Sequence, residues 1–593
     1  MATPIDYGRF DEGRHLNYWE LDYTLQRVVR RALPESDYAD AEPLLSAFGE
    51  TVGTEIADNA DVVDANGPEL RTYDERGEVA NEVIYHPAHL ENERRAYESG
   101  IVADCFHPPE GRDEPLPFTH NLAMQYLLCY ADVGLDCPVA MTTGVALVIE
   151  RFEERDGPLE PSFEGLTARD HDDLIEGAMF LTEKQGGSDV GTNETRAEYD
   201  GDEDVWRLSG EKWFCSNIDA EGTLALARRE GAPDGTAGLS LFLVPHTASD
   251  GTLNAQTYRR LKDKLGTISV PTGEVELHGA EAYPVGDLDG GFTQMAEMLN
   301  VERLSNAAGA CGLIGRALLE SKIHAANREA FGRTLDGHPL MRADLVDMAV
   351  DHEAATAYTF EAARLFSRRE TARRRGEEDR TAYRLMRALV PIAKARTGRM
   401  AVEAASYAME IRGGDGYVTD SVTHRLLRDA QVLPIWEGTE NVLSLDLLRA
   451  LDRENAHEPL LSVIDRRLES VEHHLLAADA KAVRAAYDEL GEALVTIATE
   501  GEEYAQLSAK RLLHFVFDVF TAALLLVEAQ TGIDERDDAR EALVARRFVD
   551  RRLRDHPARG ITNGDRLPDE AFDAIVRFER VAPEEVESLG VGE

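Results

Sequence analysis

Thr182-Glu183-Lys184-Gln185-Gly186-Gly187-Ser188-Asp189 stands where the chain changes its period. Before it, residues 1–178 read as helices joined by acidic loops, punctuated at Asn66-Gly67-Pro68 and His107-Pro108-Pro109. Within this part, 122–148 is small and apolar enough for a buried helix pair around Asp136-Cys137-Pro138. After the glycines come short alternating or β-branched runs at 206–208, 224–226, 239–244 and 274–277, divided by Gly, Asp and Pro. That pattern predicts a small antiparallel barrel or sandwich. From about 288 the helical period returns. Gly290-Gly291 opens a helix running to about Arg328, and further helices are predicted over 339–370, 380–412 and 421–432. Long antiparallel helices with short joints make a bundle. Four parts are therefore expected: a helical domain (1–178), a β domain (179–287), a helix bundle (288–451) and a helical extension (452–593). The class is mainly α with a central β domain.

The charge balance is extreme, with 63 Lys+Arg against 111 Asp+Glu and a formal net charge of −48. Disorder needs low hydrophobicity as well as high charge. Here 43% of residues are hydrophobic, so a folded protein with an acidic surface is expected. A lysine-poor acidic surface suits molar salt, where self-repulsion is screened within about 3 Å; a halophilic setting is the expectation. The five cysteines are widely spaced without a CxxC pair, which indicates neither a disulfide framework nor a metal site. The start, MATPIDYGRFDEGRH, lacks the apolar run of a secretory signal. The most apolar stretch, 515–527, is short for a membrane span and contains Asp518. A core helix and a cytoplasmic location are expected.

Five segments have chemical potential, each with a plainer reading beside it. The turn 182–189 offers bare amides to a polar or anionic ligand, or is only a turn. Leu208-Ser209-Gly210-Glu211-Lys212-Trp213-Phe214-Cys215-Ser216-Asn217 reads as a hairpin turn feeding a strand. Phe214 and Ser216 share a face there, fit to stack on and bond a flat heterocycle, or simply half-buried. Asn327-Arg328-Glu329-Ala330-Phe331-Gly332-Arg333 ends a helix. Its arginine is either a diphosphate clamp or a side chain favoured by the helix dipole. Glu410-Ile411-Arg412-Gly413-Gly414-Asp415-Gly416-Tyr417 has more glycine than a C-cap needs. In Ile435-Trp436-Glu437-Gly438-Thr439-Glu440-Asn441 the first acid is a general-base candidate or a charge favoured by the following helix.

Together, in this order and spacing, the five segments resemble the acyl-CoA dehydrogenase family over roughly residues 60–450. NGPELRTYDERG, YHPAHL, CPVAMT, RLKDKLG and HPLMR are similar to its DNA-alkylation-response (AidB-type) branch. The resemblance implies an N-terminal helical domain, a middle β domain, a four-helix bundle and one FAD. It implies that Leu181, Thr182, Gly187 and Ser188 contact the flavin or diphosphate, and that Phe214 and Ser216 sit at the isoalloxazine ring. Arg328 and Phe331 would touch the adenine-diphosphate part held by a neighbouring subunit. Glu410, where many relatives carry Gln, and Gly414 would meet the same FAD; Thr439 and Asn441 would complete the contacts. Glu437 matches the family's catalytic base. Some relatives place the base instead on the first bundle helix, in a segment similar to Asn300-Val301-Glu302-Arg303-Leu304, so Glu302 is the alternative base. An acyl-CoA substrate, an electron-transfer flavoprotein as acceptor and a homotetramer follow from the same resemblance.

A second reading belongs to another class: a flavoprotein associated with DNA under alkylation stress, with little dehydrogenase turnover. It rests on the resemblance to the AidB-type branch and is helped by an arginine cluster, Arg546, Arg547, Arg551, Arg552, Arg554 and Arg559. Against it, residues 452–593 carry 31 Asp+Glu and 18 Lys+Arg, a balance of −13. Pairing of these arginines with acids is the favoured expectation.

Overall fold

The computed structural model describes residues 4–154, 156–563, 565–586 and 589. Met1–Thr3, the start of the segment read for a signal, lies outside them. The elements that position the site are helix α1 (Tyr23–Ala32), strands β1 (Glu69–Tyr73) and β2 (Val79–Ile84), and helices α2 (Phe118–Leu128) and α3 (Val133–Phe152). Strands β3 (Gly177–Phe180), β4 (Arg196–Asp200), β5 (Val205–Ser216), β6 (Gly222–Arg229), β7 (Leu239–Pro245), β8 (Gln256–Leu261) and β9 (Thr272–Pro284) follow. Then come α4 (Gly291–Asn327), β10 (Glu329–Ala330), β11 (Arg333–Thr334), α5 (Pro339–Arg374), α6 (Arg380–Arg412), α7 (Thr423–Ala430) and α8 (Glu440–Arg453). Helices α9 (His457–Glu469), α10 (Ala477–Thr499), α11 (Glu502–Arg536) and α12 (Arg540–Leu553) build the extension. The class is mainly helical with a central β domain, as the change of period predicts.

By backbone contacts the chain forms two compact units. One comprises 1–42, 117–119 and 306–593; the other comprises 43–116 and 120–305. In the second, the strand path β3-β6-β4-β5-β9-β7 closes through a β6–β7 pairing, with β8 added on β9. Most pairs are antiparallel, but β3 and β4 each run parallel to β6. Strand β6 is buried at six consecutive positions, so its apolar run lacks the alternation of a half-exposed strand.

Three expectations need correction. The helix pair in 122–148 exists, but its joint lies at 129–132 rather than at Asp136-Cys137-Pro138. Asp132 caps α3 by accepting from Gly134 N at 2.9 Å and Leu135 N at 3.0 Å, which leaves Pro138 inside the helix. Ser209-Gly210 is no hairpin turn: β5 runs unbroken through it, with a register shift between Leu208 and Ser209. A Cβ on Gly210 would lie 2.6 Å from Thr195 Oγ1, so the glycine serves close backbone approach at a bulge. Finally, the region read as helical contains the β1–β2 hairpin, closed by Asp74 accepting from Arg76 N and Glu78 N.

Helices α3 and α11 are long and apolar enough to cross a membrane. However, 89% and 78% of their most apolar windows are buried inside the protein, as in core helices.

Candidate active site

In the unit built on the β barrel, Leu181 and Thr182 directly follow β3. Glu183 anchors the glycine turn from below. Its carboxylate accepts from Glu194 N at 2.6 Å, Thr195 N at 3.1 Å and Thr195 Oγ1 at 2.5 Å. Lys212 of β5, with no solvent exposure, donates to it at 2.9 Å. Burial alone would raise the Glu183 pKa. Lys212 and the surrounding donors outweigh it and hold the group at about 2. Trp213 N also donates to Thr182 O at 2.9 Å, so the first two motifs are bolted together.

A Cβ on Gly187 would lie 2.4 Å from Thr182 Oγ1; packing within the turn itself requires this glycine. Ser188 stays exposed. Along β5, Phe214 is 54% exposed, Cys215 is buried and Ser216 is half-buried, with Ser216 Oγ 3.1 Å from Thr272 Oγ1. Phe214 and Ser216 thus flank a buried Cys215, the ring exposed and the hydroxyl half-buried, as alternation along a strand predicts. Glu302 lies in this unit too, buried on α4. It faces Gly144 of α3, where a Cβ would sit 3.4 Å from Glu302 Oε1 and 2.7 Å from Met298 Cγ.

The other unit carries the remaining residues. Arg328 follows the end of α4, solvent-exposed. Phe331 is at the tip of the β10–β11 hairpin, with φ +53 and 96% exposure. Helix α6 ends where Gly413 takes φ +64. A Cβ on Gly416 would meet Met409 O at 2.3 Å, whereas one on Gly414 would meet nothing within 4 Å. The fold itself thus accounts for Gly413 and Gly416, and leaves Gly414, with the nearby Glu410, open to solvent.

The loop before α8 holds Glu437 at φ +54 and Gly438 at φ +102. A left-handed glutamate is uncommon and marks a backbone held by its surroundings. Glu437 Oε2 is screened from solvent. Thr439 is the N-cap residue of α8, without a side-chain cap bond, and Asn441 is exposed. Glu440 meets His514 of α11 at 2.6 Å and Lys510 at 3.5 Å. Burial would raise its pKa; these two neighbours reverse the direction and lower it. Sequence reasoning missed Glu183, Lys212 and His514 as parts of the scaffold, because each works through a partner distant in sequence.

Residues 289–451 match the family model "Acyl-CoA dehydrogenase, C-terminal domain". Residues 178–280 match the "middle domain" of the same family, and 11–173 match "Adaptive response protein AidB N-terminal domain". Acyl-CoA dehydrogenase family member 11 of Caenorhabditis elegans is 32% identical over 531 residues, 86% of this chain and 84% of that protein. AidB of Escherichia coli is 34% identical over 435 residues, covering 70% and 75%. The crystal structure of Caenorhabditis elegans ACDH-11 in complex with C11-CoA superposes with a TM-score of 0.84 at 29% identity, covering 94% of this chain and 95% of that one.

The chain belongs to the acyl-CoA dehydrogenase family. Its members are oxidoreductases that act on the CH–CH group of acyl-CoA and bind FAD. The residues present fit that cofactor. Each unit has chemistry suited to a part of it: in the β unit, an exposed ring on β5 with a half-buried hydroxyl two residues on and the turn at Gly186–Ser188; in the helical unit, an exposed arginine that can pair with phosphate and the open backbone at Gly414.

Proposed function

We propose that this protein catalyses α,β-dehydrogenation of an acyl-CoA thioester, with Glu437 as the base that removes the α-proton. Bound FAD supplies the two-electron acceptor for the β-hydrogen. Phe214 and Ser216 are assigned to the isoalloxazine ring. Leu181, Thr182, Gly187 and Ser188 are assigned to the flavin and diphosphate. Arg328, Phe331, Glu410, Gly414, Thr439 and Asn441 are assigned to the rest of FAD. The carrying observation is Glu437 itself: a partly screened carboxylate fixed on a left-handed backbone, inside the segment that matches the family's C-terminal domain. The complex of the Caenorhabditis elegans relative with C11-CoA supports the substrate class.

The same reading includes a homotetramer and an electron-transfer flavoprotein as acceptor. Exposed Phe331, Leu340 and Tyr417 support self-association. The test is anaerobic titration of the purified yellow protein with a panel of acyl-CoAs. Bleaching of the flavin by at least one chain length is expected. A panel that leaves the flavin oxidised would reject dehydrogenation and favour the DNA-associated reading.

A further inference from the structure

Helix α6 carries two residues one turn apart that meet the loop bearing Glu437. Lys394 is fully buried, and its Nζ donates to the carbonyl oxygen of Gly438 at 2.7 Å. Four residues later, Gly398 allows the loop backbone to come close: a Cβ there would lie 3.0 Å from Leu433 C and O and 3.2 Å from Pro434 N. The two contacts bracket Ile435, Trp436 and Glu437. Between them the chain turns through φ +54 at Glu437 and φ +102 at Gly438.

Burying an ammonium group is costly and demands a compensating partner. Spending a lysine on a backbone carbonyl makes sense where that carbonyl's position matters. Gly438 O belongs to the residue next to Glu437, so a shift of this carbonyl moves the glutamate's own backbone. A left-handed glutamate also needs outside contacts to stay there.

We propose that Lys394 and Gly398 form a clamp that positions Glu437, with Lys394 as a positioning residue for proton abstraction. The inference rests on Glu437 being the base. The clamp acts through the geometry of the loop backbone, which holds Gly438 O and Glu437 in place. Misplacing a reacting group by about 1 Å costs roughly 10²-fold in rate, so loss of the clamp reduces turnover and spares binding.

The experiment uses the holoenzyme with three readouts: FAD content, flavin bleaching by saturating acyl-CoA under anaerobic rapid mixing, and amide hydrogen exchange of the peptide spanning 433–439. Lys394→Met keeps the unbranched apolar stem, is one bond shorter, and removes the donor. It is expected to retain FAD and the half-saturating acyl-CoA concentration within about twofold, to bleach about 10²-fold more slowly, and to exchange the loop amides faster. Lys394→Gln, still a donor but one bond shorter, is expected to recover part of the rate. Gly398→Ala tests the same clamp through a single methyl group should Lys394→Met not fold, with the same changes expected.

Wild-type bleaching in Lys394→Met, or slow bleaching with loop exchange unchanged, would overturn the clamp. Glu437→Gln, run beside these, separates the two claims. Wild-type bleaching in that variant removes the base assignment and the catalytic use of the clamp with it. An inactive Glu437→Gln beside a fully active Lys394→Met removes the clamp alone.

Discussion

At the scale of single residues, the two acids offered by the sequence occupy different settings. Glu437 stands on a strained loop at the start of a helix. Glu302 is buried on a regular helix, packed against a glycine of α3 within its own unit, with Oε1 screened from solvent. Glu437→Gln is therefore expected to keep FAD and slow anaerobic flavin bleaching by about 10²–10⁴-fold, the usual cost of losing a general base. Glu302→Gln is expected to slow bleaching far less than Glu437→Gln does. The assignment is reversed if Glu302→Gln is the inactive variant. A second expectation concerns the bolt beneath the glycine turn. Lys212→Met leaves Glu183 buried without its cation, and breaking such a pair costs about 3–5 kcal/mol; denaturant unfolding measures it. The motif residues were legible because a ring, a hydroxyl or an acid announces its chemistry locally. The Glu183–Lys212 pair was not, since the two lie in separate motifs and meet only through the fold.

Secondary elements show a similar division. Strand and helix runs were readable from hydrophobic period, and α4, α5 and α6 fall close to the expected spans. The joint before α3 was not, because a proline suggests a break more loudly than the capping aspartate that sets the helix start. Nor was the docking of the extension. Glu353 of α5 accepts from Arg27 of α1 at 2.8 Å and pairs with Arg540 of α12. Glu361 of α5 takes Arg467 of α9 at 2.5 Å.

Burial alone would raise the pKa of both acids; the adjacent guanidinium groups reverse this and hold each at about 2. A depressed carboxylate pKa stabilises the fold above the unfolded value of 4.5, and this stability is lost as pH falls towards 2. Loss of helical signal within that window is therefore expected by circular dichroism. Glu353→Gln should lower stability at neutral pH by about 3–5 kcal/mol and weaken the acid dependence. An unchanged acid transition in this variant would show that the network does not set it.

For the whole molecule, the net charge of −48 is the dominant fact. We propose a halophilic protein in which salt screens self-repulsion. Transfer from molar to about 0.01 M KCl, where the Debye length grows to about 30 Å, is expected to unfold it; an unchanged circular dichroism spectrum would refute this. The same charge bears on DNA. Most of the arginine cluster is already paired. Arg547 bonds Asp347 at 2.8 Å and Asp565 at 3.0 Å. Arg551 and Arg552 share Asp351 at 3.0 and 3.1 Å. Arg554 bonds Asp479 at 2.7 Å, and Arg546 lies 3.9 Å from the same carboxylate. An arginine held by carboxylates has little charge left to offer a phosphate, and its acids repel the duplex. Non-specific affinity comes mainly from counterion release and falls about 10³–10⁵-fold between 50 and 200 mM salt for a protein making 6–10 phosphate contacts. Duplex DNA is therefore expected not to bind at submicromolar concentration in molar KCl, as read by fluorescence anisotropy. Arg551→Glu/Arg554→Glu should lower stability, because each new carboxylate would face Asp351 or Asp479, and should leave the anisotropy unchanged. Submicromolar binding by the wild type that disappears in the double variant would transfer these arginines from the scaffold to a DNA-binding surface.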